Sequence, residues 1–386
     1  MKKIILAFLL FTPFLLQAQA IDTGGGRLNP VYTAVPLLTI APDARSGAMG
    51  DVGAATSADV NSQYWNPAKY AFAKSPAGVG ISYTPWLSKL VNDINLANLT
   101  GYWQFSEGQA MSTSLRYFSL GDVIFREGPE DPGIIVRPNE FAIDLAYSRL
   151  LSEKFSAAVG FRYIRSDLNA GYSIGTQEMY PGNAFAADIA MYFLNPIRMS
   201  TGDADLAFGL NISNIGTKIS YDQGNNNYFI PANLRLGGSF DFPFDDFNRL
   251  AIHADINKLL VPTFPDPSSP DFDERFREYN DMSSIAGIFR SFGDAPGGFR
   301  EELEEIMWSV GLEYSYSQQF FVRAGYFNES PNKGNRKYFT AGAGFKLNIF
   351  QLDAGYVIAV SQSNPLDQTL RFSLSFDLGG LKALTR

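Results

Sequence analysis

In TLRFSLSFDL, residues 369–378, Leu370, Phe372, Leu374, Phe376 and Leu378 alternate with Arg371, Ser373, Ser375 and Asp377. A two-residue beat puts one set on each face of a β-strand. WSVGLEYSYS (308–317) does the same, with Trp308, Val310, Leu312, Tyr314 and Tyr316 set against Ser309, Gly311, Glu313, Ser315 and Ser317. The beat returns in Phe141/Ile143/Leu145/Tyr147, Phe155/Ala157/Val159/Phe161/Tyr163 and Leu206/Phe208/Leu210/Ile212. Soluble sandwiches alternate in this way too, so the connections must decide.

The periodicity predicts about 14 strands, near 77–85, 94–105, 109–119, 139–151, 155–166, 182–194, 204–213, 231–242, 248–257, 306–317, 319–328, 337–348, 350–360 and 369–378. Tight connectors fall at 106–108, 152–154, 242–247, 317–318 and 349–350, and long ones at 120–138, 167–181, 214–230, 258–305, 329–336 and 361–368. An even strand number, with short periplasmic turns alternating with long outer loops, is the pattern of a transmembrane barrel. The expectation is an all-β membrane protein, a 14-stranded antiparallel transmembrane β-barrel over 77–386 with short helices in its extracellular loops.

The polar face of the strands fits that expectation. Arg116, Asp144, Arg162, Asp188, Asn211, Arg235, Asp241, Glu313, Arg323 and Arg371 fall opposite the apolar set. A cation facing lipid near the midplane costs about 2–4 kcal/mol. These residues are therefore expected in a polar lumen or near a barrel end, pairing with one another.

The chain opens MKKIILAFLLFTPFLLQAQA, residues 1–20, with Lys2 and Lys3 ahead of an apolar run and Ala18-Gln19-Ala20 after it. That is the grammar of a Sec signal peptide cleaved near Ile21, and the run is short for a membrane anchor. No later segment reaches the ~18 uninterrupted apolar residues of a spanning helix. The chain has no cysteine, which excludes a disulfide framework, a Cys-zinc site and a thiol nucleophile. A net charge of −8 without a basic patch argues against nucleic acid as a partner. Neither a cofactor motif nor a metal-ligand pattern is found.

Between signal and first strand stands RSGAMGDVGAATSADVNSQYWNPA, 45–68. Gly47, Gly50 and Gly53 match neither G-x-G-x-x-G nor a Walker A loop, and no Lys-Ser/Thr pair follows. Small residues let a backbone pack in a confined volume, while Asp51, Asp59 and Asn66 suit turns and caps. Residues 21–76 are therefore expected to form a hatch folded inside the barrel.

Two loops stand apart. The segment 258–305 carries a proline-rich start and three candidate helices, at Asp271 to Tyr279, at Ser283 to Phe292 and in FREELEEI (299–306). The loop 119–138 mixes apolar and turn residues. Strand counting places both outside, and exposed apolar residues there would mark a binding surface, with loop-on-loop packing as the alternative.

The Gly/Ala-rich segment ending in Asn-Pro-Ala, ahead of a 14-strand barrel, resembles the FadL family of outer-membrane transporters. More narrowly, LLTIAPDARSGAMGDVGAATSADVNSQYWNPAKYAF (37–72) resembles the PorV family of FadL-like proteins in the type IX secretion system. The matching core falls on Ala41 to Asp51 and on Trp65 to Ala68; Asp43, Arg45, Gly47, Gly50, Asp51, Trp65, Asn66 and Pro67 within it, with Gly53 and Asp59 between its two parts, form the hatch motif. The resemblance implies a plugged barrel in the outer membrane of a Gram-negative bacterium, among outer-membrane lipid and lipopolysaccharide. It implies three protein partners: a large translocon barrel, secreted cargo with a β-rich C-terminal signal domain, and the surface signal peptidase of an attachment complex to which cargo is shuttled. Cargo recognition would then fall on loops 119–138 and 258–305, with Phe125, Ile134, Ile135, Phe289 and Phe292 as candidate contacts.

Two other readings compete. A FadL-type transporter of hydrophobic small molecules needs an apolar pocket between hatch and wall. A lipopolysaccharide-modifying hydrolase needs a general base beside a serine. The sole histidine, His253, shares a strand face with Asp255 and reads as a structural lumenal residue, so no catalytic residue is expected. Glu301, Glu302, Glu304 and Glu305 read as a solvated helix face, with metal bridging to lipopolysaccharide as the alternative.

Overall fold

The computed structural model describes residues 28–89, 91, 93–125, 133–168, 179–360 and 364–380. The signal peptide, the start of the hatch segment and the tip of loop 119–138 lie outside the described residues. Fourteen strands close into one antiparallel barrel: β1 (Ala77–Pro85), β2 (Ile94–Ser106), β3 (Gln109–Leu120), β6 (Asn139–Ser152), β7 (Phe155–Asp167), β8 (Gly182–Met199), β9 (Gly202–Gly216), β10 (Asn233–Pro243), β11 (Asn248–Leu259), β12 (Met307–Tyr316), β13 (Phe320–Asn328), β14 (Lys337–Leu347), β15 (Phe350–Ala359) and β16 (Leu370–Asp377). Each pairs with its sequence neighbour in the barrel, and β16 closes on β1 with Gly78 opposite Asp377. Closure pairs the backbone groups of every strand, the condition for crossing lipid with strands. The remaining two strands, β4 (Val123–Phe125) and β5 (Ile134–Val136), form a small ribbon in the loop after β3. The sequence pattern did not predict that ribbon.

The outward face is apolar from strand to strand. Val79, Ile81 and Tyr83 on β1, Ile143 and Leu145 on β6, Trp308, Val310 and Leu312 on β12, and Leu370 and Phe372 on β16 are all exposed on the outside. Their strand neighbours are buried, so the expected alternation holds with one face toward lipid and one toward the lumen. Connections also sort by end. Tight turns at 107–108, 153–154, 200–201, 244–247, 317–319 and 348–349 form one rim, and all the longer loops form the other. The pair β8 and β9 runs further than its alternation suggested, through Pro196 and Ile197 to a two-residue turn, because Gly202 takes a left-handed φ of 127° there.

The chain before β1 runs through the barrel. Residues 28–34 lie among the long loops, where Asn29 N donates to Asn332 O and Ala34 N to Phe229 O. A 3-10 turn, Pro36–Thr39, then leads down to two short helices, α1 (Ala44–Gly47) and α2 (Ser62–Trp65), and a second 3-10 turn, Pro67–Phe72. Helix α1 lies against β14, β15 and β16, while the second turn touches β3, β6, β7 and β8. A segment in contact with opposite walls of a closed barrel fills its lumen.

Above it Val35, Leu37, Leu38 and Ile40 pack with Leu96, Phe118, Ile164, Ile219 and Ile230 in an apolar layer under the loops. In the long outer loop stand α3 (Phe272–Asp281), α4 (Ser284–Arg290) and α5 (Phe299–Glu304), close to the three expected helices.

Candidate functional site

The hatch motif is assembled by caps and lumenal ions. The Asp43 carboxylate accepts Ser46 N at 2.9 Å, capping α1, and Trp65 Nε1 at 2.6 Å, tying α1 to α2. Arg45 forks onto Glu313 of β12 at 2.9 and 3.1 Å and reaches Asp59 at 2.8 Å. Asp51 accepts Arg371 of β16 at 2.5 Å and the Tyr338 hydroxyl at 2.6 Å. Gly53 and Ala54 donate their backbone N–H groups to Asp255 of β11 at 2.7 and 2.9 Å. Asn66 accepts Ala68 N and donates to Ala54 O and Met191 O, and Pro67 opens the turn that follows. The motif residues from Asp43 to Pro67 thus lie in one assembly inside the lumen, buried except for half-buried Asp51 and Asp59.

The wall answers the hatch with glycines. A Cβ at Gly325 of β13 would stand 2.1 Å from the Met49 carbonyl carbon, and one at Gly209 of β9 1.9 Å from the Ala54 oxygen. Gly311 and Gly342 face Met49 and Ala48 in the same way. At these places the hatch backbone lies directly on the strand backbone, which only glycine allows. In the sequence these glycines fall on the polar face without breaking the alternation, so nothing there marks them as points of close approach.

Most of the expected lumenal charges pair as anticipated. Asp144 lies between Arg116 and Arg162, Arg162 continues to Asp188 and Asn214, and Arg323 joins Glu313 to Asp353 at 2.6 and 2.7 Å. Asp241 pairs with Arg249 near the tight-turn rim, and Asn211 donates to Trp65 O. Glu140, which the sequence did not single out, is fully buried and accepts Leu37 N and the Ser166 hydroxyl. His253 faces the lumen opposite Gly311, and neither ring nitrogen has a hydrogen-bond partner among the described residues. Its neighbour Asp255 is committed to the hatch backbone rather than to the imidazole.

At the loop rim the acidic run overturns one expectation. Glu302 and Glu305 are buried, not solvated. Lys258 Nζ lies 3.1 Å from Glu302 and 2.5 Å from Glu305, and Lys333 bridges Glu305 at 3.0 Å and Glu301 at 2.6 Å. Glu301 also accepts Asn29 Nδ2 at 2.8 Å, and Glu304 accepts Asn332 Nδ2. Helix α5 is therefore clamped to the barrel rim and to the N-terminal arm, and its exposed side is apolar instead, with Phe299 and Leu303. Burial opposes ionisation of Glu301, yet the Lys333 and Asn29 donors hold its carboxyl below the usual range. Burial likewise works against the Lys333 ammonium, and its bonds to Glu301 and Glu305 hold it above the usual range.

Four of the five candidate contacts are exposed: Phe289 at 74 %, Ile135 at 59 %, Phe292 at 53 % and Ile134 at 51 %. The Phe125 side chain lies outside the described residues. Ile285 joins Phe289 and Phe292 at helical spacing, so α4 shows solvent an apolar stripe. Residues 134 and 135 share the β4–β5 ribbon with exposed Ile124.

Between hatch and wall is a cavity of about 70 Å3 whose lining includes Leu38, Asp51, Tyr64, Trp65, Arg235 and Tyr338. A larger cleft of about 1390 Å3 opens among the loops, with Tyr32, Phe264 and Tyr279 in its wall beside Glu274, Glu278 and Arg300.

A closed 14-strand barrel with an apolar exterior and an N-terminal segment filling its lumen defines a plugged transmembrane β-barrel protein. The model of the type IX secretion system protein PorV matches residues 26–266. The chain belongs to the PorV family, and so to the type IX secretion machinery. No curated protein sequence matches it. Among solved structures it is similar to the toluene transporter TodX of Pseudomonas putida, at 10 % identity and a TM-score of 0.49 over 91 % of this chain and 99 % of that one. It is also similar to the toluene transporter TbuX of Ralstonia pickettii, at 11 % and 0.45 over 86 % and 96 %. A Pseudomonas aeruginosa FadL homologue gives 10 % and 0.43 over 91 % and 99 %.

Proposed function

We propose that the protein is a cargo-binding shuttle of type IX secretion. Its loop face receives secreted chains bearing a β-rich C-terminal signal domain at the large translocon barrel and delivers them to the surface attachment complex, where the signal peptidase acts. The observation that carries this reading is the apolar loop face: Ile285, Phe289 and Phe292 on and just after α4, and Ile134 and Ile135 on the ribbon, all exposed above a plugged lumen. Aromatic and aliphatic side chains left in water at this density are the signature of a protein contact. The plug supports a binding role over a conducting one: lumenal positions on β9 to β15 lie against the hatch, and the cavity of about 70 Å3 between hatch and wall is far below the roughly 300–1,000 Å3 of a small-molecule site.

In this reading the protein performs no chemistry, and its lumenal histidine is structural. The signal peptide carries the chain to export, and lipid and lipopolysaccharide surround the barrel. The test is purification of tagged protein from native membranes in mild detergent, with mass spectrometry of what accompanies it. A very large barrel protein, a surface peptidase or secreted chains sharing a C-terminal domain is the expected result. Protein recovered alone with a hydrophobic small molecule bound would sink the shuttle and leave the transporter.

A further inference from the structure

Among the described residues, the buried arginines of the lumen are matched to carboxylates with one exception. Arg116 and Arg162 share Asp144, Arg323 has Glu313 and Asp353, Arg371 has Asp51, Arg45 has Asp59 and Glu313, and Arg336 at the rim has Glu329. Arg235, on β10 and only 8 % exposed, has no carboxylate in ion-pair range among the described residues. Its Nε donates to Asn257 Oδ1 at 2.7 Å. The guanidinium carbon sits 4.5 Å from the centre of the Trp65 ring and 5.2 Å from that of Tyr64. The remaining four N–H groups, on Nη1 and Nη2, meet no protein acceptor among the described residues, and Arg235 lines the cavity between hatch and wall. The Asp255 carboxylate acts on this guanidinium only at longer range and is itself bonded to the hatch backbone. A buried guanidinium with no counter-ion in contact is costly, so a fold that keeps one there has a use for it.

The rest of the cavity does not supply the missing negative charge. Asp51 lines it too, but its oxygens are engaged by Arg371 and Tyr338. Arg162 and Arg336 add positive charge already matched by their own carboxylates, and Asn214, Asn233 and Asn257 are neutral. The cavity is small. About 70 Å3 is room for roughly five water-sized bodies at 10–15 Å3 each. That admits a single oxyanion and excludes an extended acyl chain.

We propose that Arg235 is the anchor of a lumenal subsite for one small oxyanion, a carboxylate or phosphate, held in the open side of its guanidinium fork above Trp65. The planar fork matches such an anion with two parallel hydrogen bonds. Bound there, the anion neutralises Arg235 and bridges the barrel wall to the hatch. The subsite goes beyond the shuttle reading and stands or falls separately from it.

The experiment uses the full-length protein in a nonionic detergent, at constant ionic strength set with sodium chloride. Tryptophan fluorescence is followed while acetate, phosphate and, in a third arm, decanoate are titrated. Acetate or phosphate is expected to give a saturable change, because Trp65 lies against the guanidinium. Arg235→Gln should abolish it and Arg235→Lys should weaken it about tenfold, through loss of the fork. Arg249→Gln, at the opposite rim, should leave it intact. Heat-modifiable migration on gels establishes that each variant is folded, and if Arg235→Gln does not fold, Arg235→Lys carries the comparison. In the Trp65→Phe variant the optical signal should vanish while anion-dependent thermal stabilisation of about 2 °C at tenfold saturation remains. Three results overturn the proposal: no saturable change with acetate or phosphate, an equal change in folded Arg235→Gln, or a response to decanoate alone.

Discussion

At the scale of single residues, the structure turns on where backbone meets backbone and where buried charge meets its partner. Gly325 is the sharpest case. Gly325→Val places a side chain where Met49 now lies, so the hatch must leave its position while the strand, exposed to lipid on its other face, still pairs. The expected result is a heat-modifiable barrel whose residues 28–70 become open to protease, and unchanged protection would show that the glycine is dispensable. Glu313 joins a hatch arginine to a wall arginine. Glu313→Gln is expected to cost about 3 kcal/mol of hatch docking, since removing one member of a buried ion set leaves the others uncompensated. Asp59 and Asp353 still hold one side each, which keeps the loss near the low end of that class. Denaturant titration followed by hatch proteolysis measures it. His253→Ala should change neither secretion nor folding beyond a small packing loss, and a specific loss of an enzymatic activity would contradict the structural role.

Among elements, α5 and its clamp give a pH dependence with a definite sign. The Glu301 carboxyl titrates lower in the folded chain than its ordinary 4.5, so its contribution is complete above pH 4.5 and is lost as pH falls through the depressed folded value. The raised Lys333 contributes below 10.5 and is lost only as pH climbs through its elevated folded value. The clamp therefore holds across neutral pH and opens on the acid side first. A chain without cysteines makes the test clean. A spin label on Leu303→Cys, exposed on α5, should gain mobility as pH falls through the depressed Glu301 value, and should already be more mobile at pH 7 when Lys333→Met is added, with Lys258 still holding Glu302 and Glu305. A label equally mobile at pH 7 and in strong acid would remove the clamp from the account. Helix α4 makes the converse prediction. Phe289→Ser with Phe292→Ser removes exposed apolar area, so stability should stay within about 0.5 kcal/mol. Copurification of secreted chains should fall several-fold, and unchanged recovery would move the contact off this helix.

For the whole molecule, the strand beat and the sorting of connectors made the barrel legible. Leu370 to Leu378 reads as one face because lipid and lumen impose opposite chemistries on alternate residues. The extended β8–β9 pair was less legible, because Pro196 and Asn195 look like loop chemistry and only cross-strand pairing reveals them as strand. The hatch could be recognised as a compact insert, but its docking sites are distributed over glycines in six different strands, from Gly209 to Gly355, each too ordinary alone to announce a contact. Burial of Glu302 and Glu305 was invisible for a similar reason: Lys258 and Lys333 come from distant rim positions that the sequence does not bring together. Arg235 could be placed in the lumen from its strand face, whereas its lack of a carboxylate is a property of three dimensions only.

The N-terminal arm has a mechanical consequence. It is fastened among the outer loops through Asn29, while the same chain joins β1 at the opposite rim. The plug is thus strung like a cord through a bead and knotted at both mouths. It cannot be pushed out as a cork toward either side without first untying an end, and a passage past it would have to come from loosening the cord in place. A pull on the outer loops is felt along that cord down to the inner rim.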